Sequence, residues 1–296
     1  MDSRDTVDQA PPSVGSDVPF YAGLITVSAA YVLLIVAMLV ADTTFTSIAD
    51  IGRVLSNDNV RFSVVLSLVT CTVAAVLSVA VAVPIGYLLS RHSFRGKNLI
   101  DGVLDIPIVL PPLVIGLSLL ILFQTRLGKG AEAAFVAVID VLHVNDALGL
   151  IGVRPIRGIT YELPSVVLAQ FSVACAFAVR TMRVTFDQID ARREHVALTL
   201  GCTRGQAFRR VVLPEAWPGV ITAGTLSWAR SMGEFGPILV FAGATRMKTE
   251  VLPTTVFLEL SIGDVEAAVS VSLLMVAAAF LVLAVTRAFG LRQGLF

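Results

Sequence analysis

The chain has 296 residues, of which 56% are hydrophobic and 15% charged, with a mean hydropathy of +0.84. Soluble domains carry roughly 25% charged residues, so this composition excludes an ordinary water-soluble enzyme. Lys plus Arg and Asp plus Glu number 22 each, a balance that argues against an overall basic surface for nucleic acid. At about 20 apolar residues per crossing, the hydrophobic fraction supplies at most about eight spans and leaves no room for a soluble domain of normal size.

Residues 1–21 are polar, with Pro11, Pro12, Pro19 and one basic residue, Arg4. They lack the positive n-region of a signal peptide and read as a disordered tail before an uncleaved helix. Apolar runs of spanning length follow at 22–41, 62–90, 103–123, 161–180, 218–243 and 266–289. The predicted fold class is therefore an all-α integral membrane protein with six transmembrane helices. The organisation is a first helix with its outer loop at 22–61, a transmembrane domain at 62–290 and a C-terminal tail at 291–296. Basic residues mark the retained side of a membrane. With the N-terminus inside, the inner segments hold Arg4, Arg91, Arg95, Lys97, seven arginines from Arg180 to Arg210, Arg287 and Arg292. The outer loops hold eight basic residues, so both termini are predicted cytoplasmic.

Cys71, Cys175 and Cys202 show no paired spacing, and we read neither a disulfide framework nor a metal site. His92, His143 and His195 lie far from one another and are taken as loop residues. The third span opens DIPIVLPPLVIG, where Pro107, Pro111 and Pro112 each remove a backbone donor. In lipid such backbone survives only against protein or a water-filled cavity. The segment is expected to face the protein interior, lining a pathway or packing as a kink. The outer insertion 124–160 contains AEAAFVAVIDVLHV at 131–144, interrupted by Glu132, Asp140 and His143. Fourteen helical residues reach only about 21 Å, short of a roughly 30 Å hydrocarbon core, so an interfacial or extracytoplasmic helix is expected.

Between the fourth and fifth spans, the loop 181–217 is the longest and most basic inner segment. Val184, Ile189, Val196, Ala197 and Leu200 give a broken helical spacing, and Gly201 suits a helix-ending left-handed turn. Thr203 with Gln206 makes a capping box. A second short helix runs through Phe208, Val211 and Val212 until Pro214 stops it. A stiff hairpin with an exposed Phe208 suits a docking element. EHVALTLG…LP, from Glu194 to Pro214, resembles the EAA loop of ATP-binding-cassette importer permeases. Glu194, Ala197, Gly201, Leu213 and Pro214 occupy matching places, while His195 and Val196 stand where two small residues are usual.

That resemblance implies a type I ABC importer permease-like fold with a cytoplasmic coupling hairpin, in which Thr203 and Phe208 also serve the coupling. It implies cytoplasmic ABC ATPase subunits seated on the hairpin, an extracytoplasmic solute-binding protein, a permease homodimer and a prokaryotic cell membrane. The chain carries no GxxxxGK phosphate loop, so ATP and Mg are expected on the partner ATPase and no cofactor on this chain.

The fifth span carries Arg230 and Glu234, four residues apart and on one helix face. Intramembrane charges are costly and face a partner or a pathway, so this pair is a structural tie, part of a gate or anion path, or both. ARSMGEFG at 229–236, with LDIPIVLPPLVIG at 104–116, resembles molybdate, tungstate and sulfate permeases, and the likeness covers most of residues 60–290. It implies an oxyanion cargo, molybdate or tungstate first and sulfate or thiosulfate second. Arg230, Glu234, Gly233, Gly236, Pro111 and Pro112 are the candidate pathway or gate residues, with Ser227 and Ser231 as nearby hydroxyls; Gly233 and Gly236 also suit close helix packing. The connection around 131–148 is longer than the family pattern. Two other classes are weighed. An ion-coupled secondary transporter predicts an internal repeat, which we do not find, and an intramembrane enzyme needs a His-Glu zinc motif or a Gly-flanked Ser, both absent.

Overall fold

In the computed structural model, residues 17–141, 143, 145 and 155–291 are described. Of the expected tails at 1–21 and 291–296, residues 1–16 and 292–296 lie outside them, while 18–21 and 291 are helical; 142, 144 and 146–154 of the outer connection also lie outside the described residues. The chain divides into two units, Met1–Ser47 and Ile48–Phe296.

The first unit contributes α1, Val18–Thr44. Pro19 sits in its first turn, where its missing N–H costs nothing. Its apolar side chains point in every direction, and no residue of its 18-residue apolar window is buried. A helix hydrophobic all round is one solvated by lipid.

In the second unit, α2 (Ile48–Leu55) precedes α3 (Asp58–Arg91), whose start is capped by Asn57 Oδ1 accepting the Asn59 N–H at 3.0 Å. Then come α4 (Lys97–Val109), α5 (Pro112–Gln124), α6 (Arg126–Val141) and α7 (Leu163–Gln188). The hairpin is α8 (Ala191–Thr199) and α9 (Arg204–Ala207), followed by a π turn (Phe208–Val212) that leads into α10 (Leu213–Met232). Last are α11 (Gly236–Phe241), α12 (Leu252–Ile262) and α13 (Val265–Leu291).

The core lies between α3, α7 and α10, and small residues set its spacing. Ala74, Ala82, Ala174, Ala178 and Ala223 are fully buried. A Cβ at Gly86 would lie 2.9 Å from the backbone N of Arg183, and one at Gly219 would lie 2.2 Å from Thr185 Oγ1. Lipid tails are as apolar as leucine, so close backbone approach and dispersion hold such helices together. Ser227 Oγ adds a hydrogen bond to the Ala174 carbonyl at 3.3 Å, and Trp228 Nε1–H donates to Thr72 Oγ1 at 3.2 Å.

Among the described residues, α1, α3, α7 and α13 are long and apolar enough to cross a membrane, and α4 with α5 form a fifth candidate bent by 112°. The expected span at 218–243 is α10 and α11, interrupted between Met232 and Gly236. Several expectations are corrected. The third span is broken, not merely kinked. It breaks sharply at Leu110 and Pro111; α4 has no buried residue and Pro111 and Pro112 are exposed, while Ile115, Gly116 and Phe123 of α5 face the interior. With no N–H on two successive prolines the helical ladder cannot continue. Pro214 does not stop the second hairpin helix: the π turn lets the Leu213 N–H bond the Phe208 carbonyl, and Pro214 then falls in the first turn of α10, where it is tolerated. The loop 181–217 begins with the end of α7, which continues past its apolar run to Gln188. The outer helix begins at Arg126, not 131. Its Glu132 ties the connection down, its Oε1 accepting the Ile159 N–H at 2.6 Å and the Thr160 N–H at 3.2 Å.

Candidate functional site

The hairpin is fixed locally before it packs. Asp190 Oδ1 accepts the Arg192 N–H at 2.9 Å to start α8, and Gly201 turns the chain at φ +90°. Only glycine adopts that angle without strain. The Cys202 N–H then reaches the Ala197 carbonyl at 3.1 Å. Both halves of the capping box form, the Thr203 N–H donating to Gln206 Oε1 at 2.9 Å and the Gln206 N–H to Thr203 Oγ1 at 3.3 Å.

The hairpin has an inner and an outer face. Glu194, Ala197, Ala207 and Val212 are buried. Phe208 is not exposed as expected: its ring centroid lies 4.7 Å from that of Tyr87, edge on, and it packs beside Phe186. What faces outward is Leu200, 79% exposed, and Val196, 57% exposed. Glu194 accepts a 2.5 Å hydrogen bond from the Tyr87 hydroxyl, and its other oxygen lies 3.4 Å from Arg91 Nε. Arg91 also donates to the Ile189 carbonyl at 3.0 Å. Leu213 is half-buried and Pro214 exposed, just beyond the π turn. His195, read as a loop residue, lies exposed within α8, since the turn is confined to 200–203.

A second cluster lies along α7 and α10. A groove of about 680 Å³ runs between them, lined by Phe177, Arg180, Thr181, Thr185, Gln188 and Thr222. Arg230 does not line the groove itself but lies one turn past Leu226, its guanidinium carbon 5.6 Å from the ring centroid of Phe177, which does, and it pairs with Glu234 as expected. The pair is lopsided: the Glu234 side chain is 1% exposed, that of Arg230 30%. Arg180 pairs with Asp105 at 3.1 Å and stays largely exposed.

Gly236 meets the first turn of α5, where a Cβ would lie 3.0 Å from the Leu113 backbone N, while Gly116 approaches Pro237 at 2.7 Å by the same measure. The two interrupted helices thus meet at their breaks, which brings Pro112, Gly236 and Glu234 into one region. Gly233 ends α10 with open space around it. Of the two serines, Ser227 donates to the Ala174 carbonyl, while Ser231 is fully buried with no hydrogen-bond partner for its hydroxyl among the described residues. Sequence reasoning missed Tyr87, Arg91 and Arg180. The spacing of Tyr87 and Arg91 at i and i+4 was the available signal, but nothing local names a partner about 100 residues away.

Residues 82–293 match the family model described as the binding-protein-dependent transport system inner membrane component. The chain belongs to this family. Among the permease's relatives, the sulfate transport system permease protein CysT of Salmonella typhimurium is 32% identical over 251 residues, 85% of this chain and 84% of that protein. The molybdenum transport system permease protein ModB of Mycobacterium tuberculosis is 33% identical over 222 residues, 74% of this chain and 76% of its own length. The molybdate/tungstate permease WtpB of Pyrococcus abyssi is 32% identical over 176 residues, 60% and 58% of the two chains. Among solved structures, a bacterial alginate ABC transporter in complex with its alginate pentasaccharide-bound periplasmic protein covers 94% of this chain and 95% of its own at a TM-score of 0.69 and 13% identity. The fold is therefore that of ABC importer permeases, and the permease is a multi-pass membrane protein.

Proposed function

We propose that this permease is the membrane subunit of an ATP-driven importer for a tetrahedral oxyanion, molybdate or tungstate in the first reading. The observation that carries it is Arg230, partly open and set against Phe177, which lines the groove, with its carboxylate partner buried. Guanidinium is always charged and presents a rigid fork of donors suited to oxyanions. Below it, Arg180 offers a second, largely exposed guanidinium, and conduction needs sites that bind and also release.

Val184 and Leu226 stand exposed along the groove, which supports a second copy of the chain closing it into a shared path. A cytoplasmic ATPase, holding ATP and Mg, docks on the Val196 and Leu200 face of the hairpin, and its closure drives alternating access. An external binding protein delivers the anion to the far end. The basic cluster from Arg180 to Arg210 gathers at the hairpin end together with Arg91, which supports N-in and C-in. A second reading, sulfate or thiosulfate, is favoured by the longer share of the chain matched by the sulfate relative.

The test is reconstituted uptake by the Arg230→Gln/Glu234→Gln double variant. Removing Arg230 alone leaves a buried charge at about 3–5 kcal/mol, whereas the double variant removes the pair without that penalty. A stably folded protein with uptake reduced at least about tenfold is the expected result. Unchanged uptake would reduce Arg230 to a structural role.

A further inference from the structure

The hairpin offers one side to solvent and keeps the other for this chain, and Glu194 falls on the wrong side to meet a partner. Val196 and Leu200, two and six residues on, lie about 200° and 240° around α8 from it. Glu194 is buried, with both oxygens turned to the end of α3: one to the Tyr87 hydroxyl at 2.5 Å, the other to Arg91 Nε at 3.4 Å. Tyr87 and Arg91 share one face of α3, four residues apart. Arg91 closes the loop by donating to the Ile189 carbonyl, the residue that ends α7. The Tyr87 ring is itself fixed edge on between Phe186 of α7, at 5.7 Å, and Phe208, at 4.7 Å. One carboxylate thereby joins α3, α7 and α8, and aromatic rings lock the donor. By contrast, the neighbouring tie from Arg193 to Glu215 of α10, at 2.6 Å, has a largely exposed arginine, and such pairs contribute little.

We propose that Glu194 is a positioning residue: with Tyr87 and Arg91 it forms a stiff tie that makes the hairpin move as one body with α3 and α7. The proposal rests on the reading of the hairpin as the ATPase dock and adds to it how a push on that dock reaches the spans. A hairpin held only by the exposed Arg193 pair would yield at its own base before moving the bundle.

The experiment uses the complete importer, with its ATPase and binding protein, in proteoliposomes, and compares Tyr87→Phe, Glu194→Gln and the double variant with the unaltered chain. Both single variants are expected to co-purify with the ATPase at the normal ratio and to hydrolyse ATP, while anion moved per ATP falls at least about fivefold, a modest coupling loss. The double variant falls less than the two single losses combined, because both changes weaken one tie. Normal transport per ATP in both single variants would overturn the proposal. So would Glu194→Gln losing the ATPase while Tyr87→Phe binds and couples normally, since Glu194 would then be a contact residue. Loss of folded protein in both, seen by size exclusion, would also overturn it, making the cluster a folding element. If the unaltered chain itself fails to bind the ATPase, the docking reading falls first, and that is seen before any variant is made.

Discussion

Two glycines three residues apart do unlike work. A methyl at Gly236 would press on the Leu113 backbone, which cannot swing aside, whereas Gly233 has nothing closer than the Arg230 carbonyl at 3.8 Å and a negative φ. Gly236→Ala is expected to lower stability by about 1–3 kcal/mol, the usual cost of overpacking, and Gly233→Ala by much less, as read by thermal unfolding in detergent. Glu250, in the connection between α11 and α12, is buried, and burial pushes its carboxyl above the ordinary carboxylate range. A raised carboxyl value means the folded state takes a proton more readily than the unfolded one, so stability is full at low pH and falls as pH rises through the folded value. Glu250→Gln is therefore expected to raise the unfolding temperature at pH 8 and to change it little at pH 5. An equal shift at both would refute the assignment.

The hairpin was legible in its local parts and illegible in its orientation. Gly201, Thr203 and Gln206 act within a few residues of one another, so their turn and cap could be read from spacing, and the structure has both. Phe208 was misjudged because its partners, Tyr87 and Phe186, come from two other helices. Pro214 misled for a different reason: a π turn absorbs it, and no residue pattern announces one. The third span was read as irregular from its prolines, yet the size of the bend depends on α5 packing against α11, where Gly116 meets Pro237. The outer face of the hairpin yields the prediction that belongs to this scale. Leu200→Asp, at an exposed position outside the buried core, is expected to leave folding intact and to cut ATPase co-purification at least about tenfold, the loss of one apolar anchor. Unchanged co-purification would place the dock elsewhere.

At the scale of the whole molecule, charge is sparse and sorted by position. The apolar α1 carries none of it in lipid-facing turns beyond Asp42 near its end. The second unit keeps its ion pairs at its two ends and along the α7 and α10 groove, as with Arg183–Asp101 at 2.5 Å and Lys248–Glu162 at 2.7 Å. A chain of net charge zero thus presents a basic hairpin end and one arginine set against Phe177, beside the groove. That sorting fits the proposed anion path. The direct test is uptake of labelled molybdate, tungstate and sulfate into proteoliposomes holding the chain, its ATPase and its binding protein. The expected result is accumulation of one of these anions that requires ATP and the binding protein together. Uptake driven by an ion gradient without ATP, or selective transport of a solute that is not an oxyanion, would contradict it.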